Sequence, residues 1–489
     1  MVKYSCENCQ KTFTQKGHLD EHHNRKRPCK KDNTIEALIE KKVQETQSSQ
    51  TDYSTKTREE LIAICKEKSI KGYSGKKKTD ILNLLIPPVH NIPNTIGIPS
   101  KFKFIDLFCG IGGFHQAMIS SGGECVLACD IDAKCREVYE NNYGIKPFPD
   151  VTKLKTDTMP DFDVLCGGFP CQAFSHSGKQ LGLEDARGTL FLDIARILKD
   201  KQPKCFLLEN VKNLKTHDNG KTWKIIYNAL TEVGYVTYDT PIVMSPHMLG
   251  IPQHRERVLI LGIRKDLAPT KLKEISKLKP STNLNISSIL ETNHVEDKYN
   301  LNESTLTVVE KWEEIVKHFK LNNLKLPTFP IWSDYWDTTE TPEDEPDWKT
   351  KIINQNQEFY KTNRSYLEPW LQSARTLDGF AGAKRKFEWQ CGALQASDSM
   401  FTSLFQFRPS GIRVKRSNYS PALVAMAQIV YVGEKKRKLT PREVGRLQSF
   451  PDTFKIPSSD SVAYKQFGNA VNVDVIKWAV ELLFSMVSF

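Results

Sequence analysis

Between residues 101 and 264, short apolar runs alternate with longer amphipathic stretches. Each apolar run has the length of a strand that is buried on both faces of a sheet. These runs are KFKFIDLFC, GECVLACD, FDVLCGG, KCFLLEN and RVLILGI, and the helical stretches between them include AKCREVYENNY, RGTLFLDIARILKD and KTWKIIYNALTEVG. Strands that alternate with helices are joined by right-handed crossovers. The pattern therefore predicts an α/β fold with a doubly wound, mainly parallel sheet.

On either side of this region the pattern changes. Residues 265–436 lack the alternation and contain many aromatic and basic side chains, as in FAGAKRKFEWQ and RPSGIRVKRSNYS, which predicts a second, irregular domain. N-terminal to the α/β region, changes in composition divide the chain into four segments. In order, they are a basic segment with Cys and His, a polar linker, a compact unit and a proline-containing linker. Their bounds are 1–32, 33–56, 57–88 and 89–100.

Charge and composition narrow the class of protein. The formal net charge is +11, from 69 Lys and Arg against 58 Asp and Glu. A basic surface favours a polyanionic partner, although a soluble basic protein without such a partner fits equally well. There is no run of about 18 apolar residues and no apolar leader at the N-terminus, so we expect no membrane partner and an intracellular, reducing compartment. The twelve cysteines are then candidate metal ligands, nucleophiles or core residues.

A glycine-rich turn follows the first apolar run. In FIDLFCGIGGF, glycines at 110, 112 and 113 would let the backbone approach a ligand closely. A plain tight turn is the alternative interpretation. The next run ends in CDID, which places Asp130 about 20 residues after the turn, where an acidic side chain can accept hydrogen bonds from ribose hydroxyls. The two features together predict a cofactor that contains adenosine.

Cysteine 171 is the candidate nucleophile. The run FDVLCGG is followed by Phe169, Pro170 and Cys171, which would lie at the carboxyl edge of the sheet, where open α/β folds bind ligands. A thiolate at this position can add to an electron-poor ring carbon if nearby cations lower its pKa. The alternative is a buried, inert cysteine. A Pro-Cys-Gln turn next to two glycines is a poor core position, and this favours the reactive interpretation.

Six motifs in this order resemble those of the cytosine-5 DNA methyltransferases of bacterial restriction-modification systems. They are DLFCGIGGF, GFPCQAFSHSG, LLENVKNL, QHRERVLILG, RKLTPREVGRLQSFPDTF and YKQFGNAV. The resemblance covers residues 101–264 and 437–489. It implies the class I S-adenosylmethionine-dependent methyltransferase fold and S-adenosylmethionine as the cofactor. It also implies that residues 437–489 complete the catalytic domain and that residues 265–436 form a target-recognition domain.

The resemblance also implies a role for each matching residue. Cys171 matches the cysteine that adds to cytosine C6, and Glu209 matches the acid that engages N3 and the exocyclic amine. Arg257 matches the arginine that binds the cytosine O2. Arg255 would be a supporting contact and Asn210 a neighbour of the acid within the motif. The target cytosine must leave the duplex before the cysteine can reach it.

Two further sets of residues follow from the same resemblance. The cofactor contacts would be Phe108, Gly110, Gly112, Asp130, Ile131, Asp150, Val151, Pro170, Asn469 and Val471. The mobile loop that closes on DNA would contain Gln172, Ser175, Ser177, Lys179 and Arg187.

The N-terminal segment has the spacing C-x2-C-x12-H, formed by Cys6, Cys9 and His22. Cys29 is the expected fourth ligand of a structural zinc ion and His23 is the alternative. A basic tail without metal is the other interpretation.

The unit at 57–88 has a helix, a basic loop and a second helix, with Leu61, Ile64 and Cys65 on one face. It resembles a SAP-type DNA-binding motif, and a generic helical hairpin is the alternative.

These features predict a monomeric enzyme that acts on double-stranded DNA. Two rivals remain open: an RNA methyltransferase of the same fold, and a DNA-binding protein without activity. The RNA-modifying branch tends to have Pro-Pro-Cys where this chain has Phe169, Pro170 and Cys171. The intact Cys171, Glu209 and Arg257 argue against an inactive protein. The recognition sequence is not encoded in any local motif.

Overall fold

The structure is a computed structural model of the 489-residue chain. It describes residues 4–5, 12–13, 56–67, 73–78, 81, 101–170, 190–275, 278–282, 284–338, 345–423 and 428–489. The described α-helices are α1 Arg58–Glu67, α2 Gly113–Ser120, α3 Ala133–Tyr143, α4 Leu190–Lys201, α5 Lys221–Glu232, α6 Glu303–Leu321, α7 Asp347–Thr362, α8 Arg364–Arg375, α9 Pro441–Leu447, α10 Asp460–Asn469 and α11 Val473–Phe484.

The described strands form four sheets. Their bounds are β1 Tyr4–Ser5, β2 Thr12–Phe13, β3 Phe102–Leu107, β4 Gly123–Cys129, β5 Val164–Gly168, β6 Cys205–Val211, β7 Tyr235–Thr237, β8 Ile242–Met244, β9 Gln253–His254, β10 Arg257–Arg264, β11 Ile331–Trp332, β12 Lys386–Trp389, β13 Ser403–Arg408, β14 Gly411–Arg416, β15 Ser420–Pro421, β16 Tyr431–Val432 and β17 Arg437–Lys438.

The first sheet has the strand order β4-β3-β5-β6-β10-β7, and β8 also pairs with β10. Strands β3 to β6 are mutually parallel, whereas β10 runs antiparallel to its neighbours. One face of the sheet packs on α2, α3 and the C-terminal helices α9 to α11, and the other face packs on α4 and α5. Helices on both faces of a mainly parallel sheet confirm the predicted doubly wound α/β fold.

The second sheet has the order β11-β12-β14-β13-β16-β17 and packs against α6, α7 and α8. Its core is rich in aromatic side chains, and the Trp312 and Phe387 rings stack with centroids 4.9 Å apart. This part of the chain contains more regular structure than its pattern predicts, because pairing between distant strands supports segments with weak local periodicity.

The two regions meet where β15, which lies in the chain between β14 and β16 of the second sheet, pairs in parallel with β9 of the first domain. Nearer the N-terminus, β1 and β2 form an antiparallel pair, and Leu61 and Cys65 of α1 are buried with Ile81. Within the part of the chain that the structure describes, no helix has both the length and the apolar composition to cross a bilayer.

Candidate active site

The parallel strands β3, β5 and β6 bring three functional segments to one edge of the first sheet. Because parallel strands end at the same edge, the glycine-rich turn after β3, the Phe169–Pro170 segment after β5 and Glu209 near the end of β6 become neighbours. Gly168 is the register partner of Glu209. A Cβ atom at Gly168 would lie 3.3 Å from Glu209 Oε2, so this glycine leaves the space that the carboxylate uses.

Glu209 and Arg257 form an ion pair in this edge. Arg257 Nε lies 2.9 Å from Glu209 Oε1, and only 11% of the glutamate side chain is exposed. Burial raises the pKa of Glu209 above its ordinary value, while the positive charges of Arg257 and Arg255 oppose that rise. Burial therefore makes this carboxyl group easier to protonate than an exposed glutamate, and the two arginines limit that effect.

Asn210 binds the chain immediately before the predicted nucleophile. Its Nδ2 donates a hydrogen bond of 3.1 Å to the carbonyl of Phe169, and its Oδ1 accepts one of 2.8 Å from the Val211 amide. Asn210 is 1% exposed. The side chain thus fixes the end of β5 next to the end of β6, so that the segment entering Pro170 has a defined position.

Arg255 is buried behind the ion pair, and its guanidinium binds backbone carbonyls. It donates to Leu423 O at 2.7 Å and to Gly468 O and Ala470 O at 3.0 Å each. Its own amide donates to Ser245 Oγ at 2.9 Å. The guanidinium therefore ties together backbone segments on either side of the pocket, and the supporting contact that the resemblance implies for Arg255 stays a prediction.

The glycine-rich turn has a backbone that most residues avoid. Gly110 and Gly112 have φ of 53° and 89°, and Phe108 between them and β3 also has a positive φ of 55°. A Cβ atom at Gly112 would lie 2.3 Å from the Tyr143 ring, whereas one at Gly110 would meet nothing within 4 Å. The turn is therefore packed on its inner side at Gly112 and open at Gly110, as a ligand cradle requires.

Asp130 holds this turn from the end of β4. Its Oδ2 accepts from the Gly110 amide at 2.8 Å and its Oδ1 accepts from the Asp132 amide at 2.8 Å. An ionised carboxylate offers about four acceptor sites, so capacity remains for hydroxyl groups of a ligand. The adjacent Ile131 is 75% exposed and offers an apolar surface beside the carboxylate.

Asp150 lies in the segment that follows α3 and caps a short 3-10 turn. Its Oδ1 accepts from the Thr152 amide at 3.0 Å and from the Thr152 hydroxyl at 2.7 Å. The next residue, Val151, is buried in the core under α4. The capped turn fixes the backbone at Asp150, the carboxylate that the resemblance places near the adenine amine.

The C-terminal segment closes the other side of the glycine-rich turn. A Cβ atom at Gly113 would lie 2.6 Å from Val471 Cγ2 and 2.9 Å from the Val471 carbonyl, which shows how tightly the two segments pack. Val471 is buried, and Asn469 at the end of α10 is exposed. The open turn, the apolar Ile131 and the acidic side chains fit a cofactor that carries adenosine and a charged tail.

Several predicted residues lie outside the residues that the structure describes. These are the nucleophile Cys171, the loop residues Gln172, Ser175, Ser177, Lys179 and Arg187, and the proposed zinc ligands Cys6, Cys9, His22 and Cys29, with His23 as the alternative. Among the residues that are described, no group of three or more His, Cys, Asp or Glu side chains is arranged to bind a metal ion.

Two residues of the site were not predicted from the sequence. Asn472 caps α11 by accepting from the Val475 amide at 3.0 Å, and its Nδ2 donates to the Leu447 carbonyl at 3.0 Å. An Asn directly before an apolar helical stretch is a signal that could have identified this cap. Tyr143, which fills the space at Gly112, has no comparable signal because its contact depends on how α3 packs.

Residues 102–484 match the family described as C-5 cytosine-specific DNA methylase. The chain is 33% identical to the Type II methyltransferase M.HhaI of Haemophilus parahaemolyticus, over 79% of this chain and 95% of that protein. It is 35% identical to M.HpaII of Haemophilus parainfluenzae, over 77% and 87%. It is 32% identical to M.AluI of Cellulosimicrobium cellulans, over 77% and 91%.

Proposed function

The chain belongs to the C-5 cytosine-specific DNA methylase family, and we propose that Cys171 is the nucleophile with which it methylates cytosine in DNA. The enzyme is a DNA (cytosine-5-)-methyltransferase, and its family uses S-adenosylmethionine as the methyl donor. The observation that carries the residue assignment is the buried Glu209–Arg257 pair, which lies beside the strand that leads into Cys171.

The proposed roles follow from the chemistry of the ring. Cytosine C5 is a poor nucleophile until a group adds to C6. The Cys171 thiolate forms the bond to C6, Glu209 gives a proton to N3, and the electron pair moves to C5. Bound S-adenosylmethionine supplies the methyl group at that carbon. A base then takes the C5 proton, the Cys171 thiolate leaves C6, and N3 returns its proton to Glu209, which restores the aromatic ring and frees both residues.

Arg257 is proposed to bind the cytosine O2 while it orients Glu209. Its fixed charge would offset negative charge that develops on the ring during attack. The 2.9 Å contact to Glu209 supports this role, because the guanidinium holds the acid with Nε and the Glu256 carbonyl with Nη1, and Nη2 can still donate to a base. Asn210 is proposed as a positioning residue, through its hydrogen bond to the Phe169 carbonyl.

The cofactor is proposed to lie between the glycine-rich turn and the C-terminal segment. Phe108, Gly110 and Gly112 would surround its methionine part, with Pro170 at the reacting end. The other proposed contacts are Asp130 and Ile131 at the ribose and adenine, Asp150 and Val151 at the adenine amine, and Asn469 and Val471. The open side of Gly110 and the exposure of Ile131 support this assignment.

The substrate is proposed to be a specific duplex sequence that residues 265–436 recognise. The loop with Gln172, Ser175, Ser177, Lys179 and Arg187 would close over an extruded cytosine and exclude water. The similarity to Type II methyltransferases over most of the chain supports a sequence-specific enzyme.

The N-terminal modules are proposed to add DNA contacts. A zinc ion held by Cys6, Cys9, His22 and Cys29 would stabilise the first segment, and residues 57–88 would bind duplex DNA as a SAP-like motif. The spacing of the ligands supports zinc, and the buried Leu61, Cys65 and Ile81 support a small helical unit. Elemental analysis of the purified protein tests the first statement, and about one zinc ion per chain is expected.

A methyl-transfer assay with matched DNA and transfer RNA tests the proposed function. We expect label from the cofactor to enter duplex DNA, bisulfite sequencing to locate it at one cytosine of a defined sequence, and Cys171→Ser to abolish the transfer. Label in transfer RNA instead of DNA would favour the RNA-modifying branch. Full activity of the folded Cys171→Ser variant would refute the nucleophile.

A further inference from the structure

The second sheet has a polar face on the side opposite to α6, α7 and α8. Along β12, β13 and β14, every second side chain packs in the aromatic core against those helices, and the side chains between them point the other way. Two stretches of basic and aromatic sequence, FAGAKRKFEWQ and RPSGIRVKRSNYS, therefore meet on one surface. The polar face consists of Glu388, Gln390, Gln406, Arg408, Arg413 and Lys415.

This face adjoins the first domain. Leu404 of β13 is the register partner of Lys415 on β14 and of Val432 on β16, so the three side chains share one side of the sheet. Leu404 and Val432 are buried in the core that the first sheet forms with the C-terminal helices. The polar face therefore begins at the contact between the two domains and extends from there along β13 and β14.

Arg413 is held by the carboxylate of Glu388 at the centre of this face. The two residues are register partners on parallel strands, and Arg413 Nε donates to Glu388 Oε2 at 2.8 Å. Gln390 Nε2 donates to the other carboxylate oxygen. The side chains of Arg413 and Glu388 are 26% and 20% exposed. Because Nε is used by the carboxylate, the two terminal nitrogens of the guanidinium lie side by side for a ligand.

Two further cations flank Arg413. Arg408 Nη2 donates to Gln406 Oε1 at 2.7 Å, and Gln406 Nε2 donates to the Gln428 carbonyl at 2.8 Å. Lys415 lies two residues beyond Arg413 on the same side of β14. Burial and the positive charges of Arg413 and Arg408 lower the pKa of Lys415. The three cations repel one another, so a partner rich in hydrogen-bond acceptors or negative charge stabilises this face.

The arrangement of donors and acceptors around Arg413 fits a base pair better than a phosphate. A phosphate offers acceptors alone, and the Glu388 carboxylate would repel it. In the major groove, guanine presents O6 and N7 side by side, which matches the terminal nitrogens of an arginine. The paired cytosine presents an amino group, which a carboxylate can accept. Arg413 and Glu388 offer both kinds of group in adjacent positions.

We propose that Arg413 binds O6 and N7 of one guanine in the recognition sequence, while Glu388 holds the arginine and accepts from the amino group of the paired cytosine. The inference rests on the proposed function and names two residues that determine which sequence is methylated. Arg408 and Lys415, on either side, bind backbone phosphates.

Methylation of duplexes that contain 7-deazaguanine tests the contact, because this base keeps its pairing with cytosine but lacks the N7 acceptor. The parent duplex carries the sequence that the wild-type enzyme is found to methylate, and each guanine is replaced in turn. We expect one replacement to lower kcat/KM of the wild type by roughly 5-fold or more. The same replacement should change kcat/KM of Arg413→Gln by less than about twofold, because the partner of N7 is already lost.

Two further variants separate a base contact from a phosphate contact and from general damage. Lys415→Gln should weaken binding to every duplex alike, reduce the salt dependence of binding and keep the full effect of 7-deazaguanine. Glu388→Gln keeps the shape of the side chain but removes the charge that holds Arg413. It should reduce the effect of the same replacement, and it serves if Arg413→Gln does not fold.

Three results overturn the inference. These are a wild type that no guanine replacement affects, folded Arg413→Gln and Glu388→Gln proteins that keep the full effect, or an Arg413→Gln protein that behaves as expected for Lys415→Gln. A wild type that methylates no duplex refutes the proposed function and the inference together, whereas failure of the inference alone leaves methylation of the unmodified duplex intact.

Discussion

The carboxyl edge of the first sheet and the core of the second sheet use their residues in opposite ways. At the edge, polar side chains such as Glu209 and Asp130 lie at strand ends and are held by a few directed contacts of about 3 Å. In the second sheet, packed aromatic and aliphatic side chains form most of the core around Trp312, and the buried Glu313 and Asn356 hydrogen-bond the backbone beside it. The chemistry depends on the position of single atoms, whereas the second domain depends on total packing. Substitutions should therefore damage rate in one region and stability in the other.

The largest effect is expected for Glu209→Gln. Glutamine has nearly the same shape but cannot give up a proton to N3, and proton transfer by a positioned acid contributes ~100-fold or more. Single-turnover methyl transfer should fall by at least that factor, while the affinity for S-adenosylhomocysteine stays near that of the wild type. A variant with more than a tenth of the wild-type rate would contradict the assigned role.

Trp312→Ala should have the opposite effect to Glu209→Gln: a loss of stability with little change in the rate of methyl transfer. The side chain is fully buried, stacks on Phe387 and donates from Nε1 to the Lys384 carbonyl at 2.9 Å. Removing so large a buried side chain lowers the free energy of unfolding by about 3–5 kcal/mol. Denaturant unfolding measures the loss, and the rate of methyl transfer at saturating DNA and a permissive temperature should remain close to the wild-type value. If stability were kept and only the rate fell, the contrast between the regions would be wrong.

Gly113→Ala tests the close contact between the glycine-rich turn and the C-terminal segment. The added methyl would lie 2.6 Å from Val471 Cγ2 and 2.9 Å from its carbonyl, and backbone cannot easily give way. Overpacking of this size lowers the free energy of unfolding by about 1–3 kcal/mol. We expect weaker binding of S-adenosylhomocysteine, measured by calorimetry, with partial recovery in Gly113→Ala/Val471→Ala. Unchanged cofactor affinity would show that the two segments separate without consequence.

The smallest expected effect is a shift in the pH dependence of the single-turnover rate in Arg257→Gln. Because burial raises the pKa of Glu209, the protonated acid persists to higher pH, and the single-turnover rate should decline as pH rises through that pKa. Arg257 opposes the rise, so Arg257→Gln should be slower overall and should move the decline to higher pH. A decline at the same or lower pH would contradict the electrostatic role of the pair.

The same contrast explains what the sequence could predict. Runs such as KFKFIDLFC and FDVLCGG are continuous apolar stretches, and they form β3 and β5 close to the expected bounds. The strand RVLILGI forms β10, but its antiparallel direction has no signal within the run. The fold class and the placement of Glu209 at a strand end therefore follow from local pattern.

The role of Arg255 could not be read from its motif. QHRER places two arginines before a buried strand, and only the structure shows that one pairs with Glu209 while the other binds carbonyls at Leu423, Gly468 and Ala470. In RPSGIRVKRSNYS, Ile412 and Val414 alternate with Arg413 and Lys415, and β14 forms a local hairpin with β13. The parallel pairing of β14 with β12, by contrast, has no signal within the run.

The most direct test of the central claim is to trap the covalent intermediate. The protein is incubated with S-adenosylmethionine and a duplex that contains 5-fluorocytosine at the methylated position, so that the C5 substituent cannot leave as a proton. We predict a denaturant-resistant protein-DNA species that peptide mapping assigns to Cys171 and that Cys171→Ser lacks. A folded wild-type protein that binds this duplex and methylates its unfluorinated counterpart, yet forms no such species, would contradict the account.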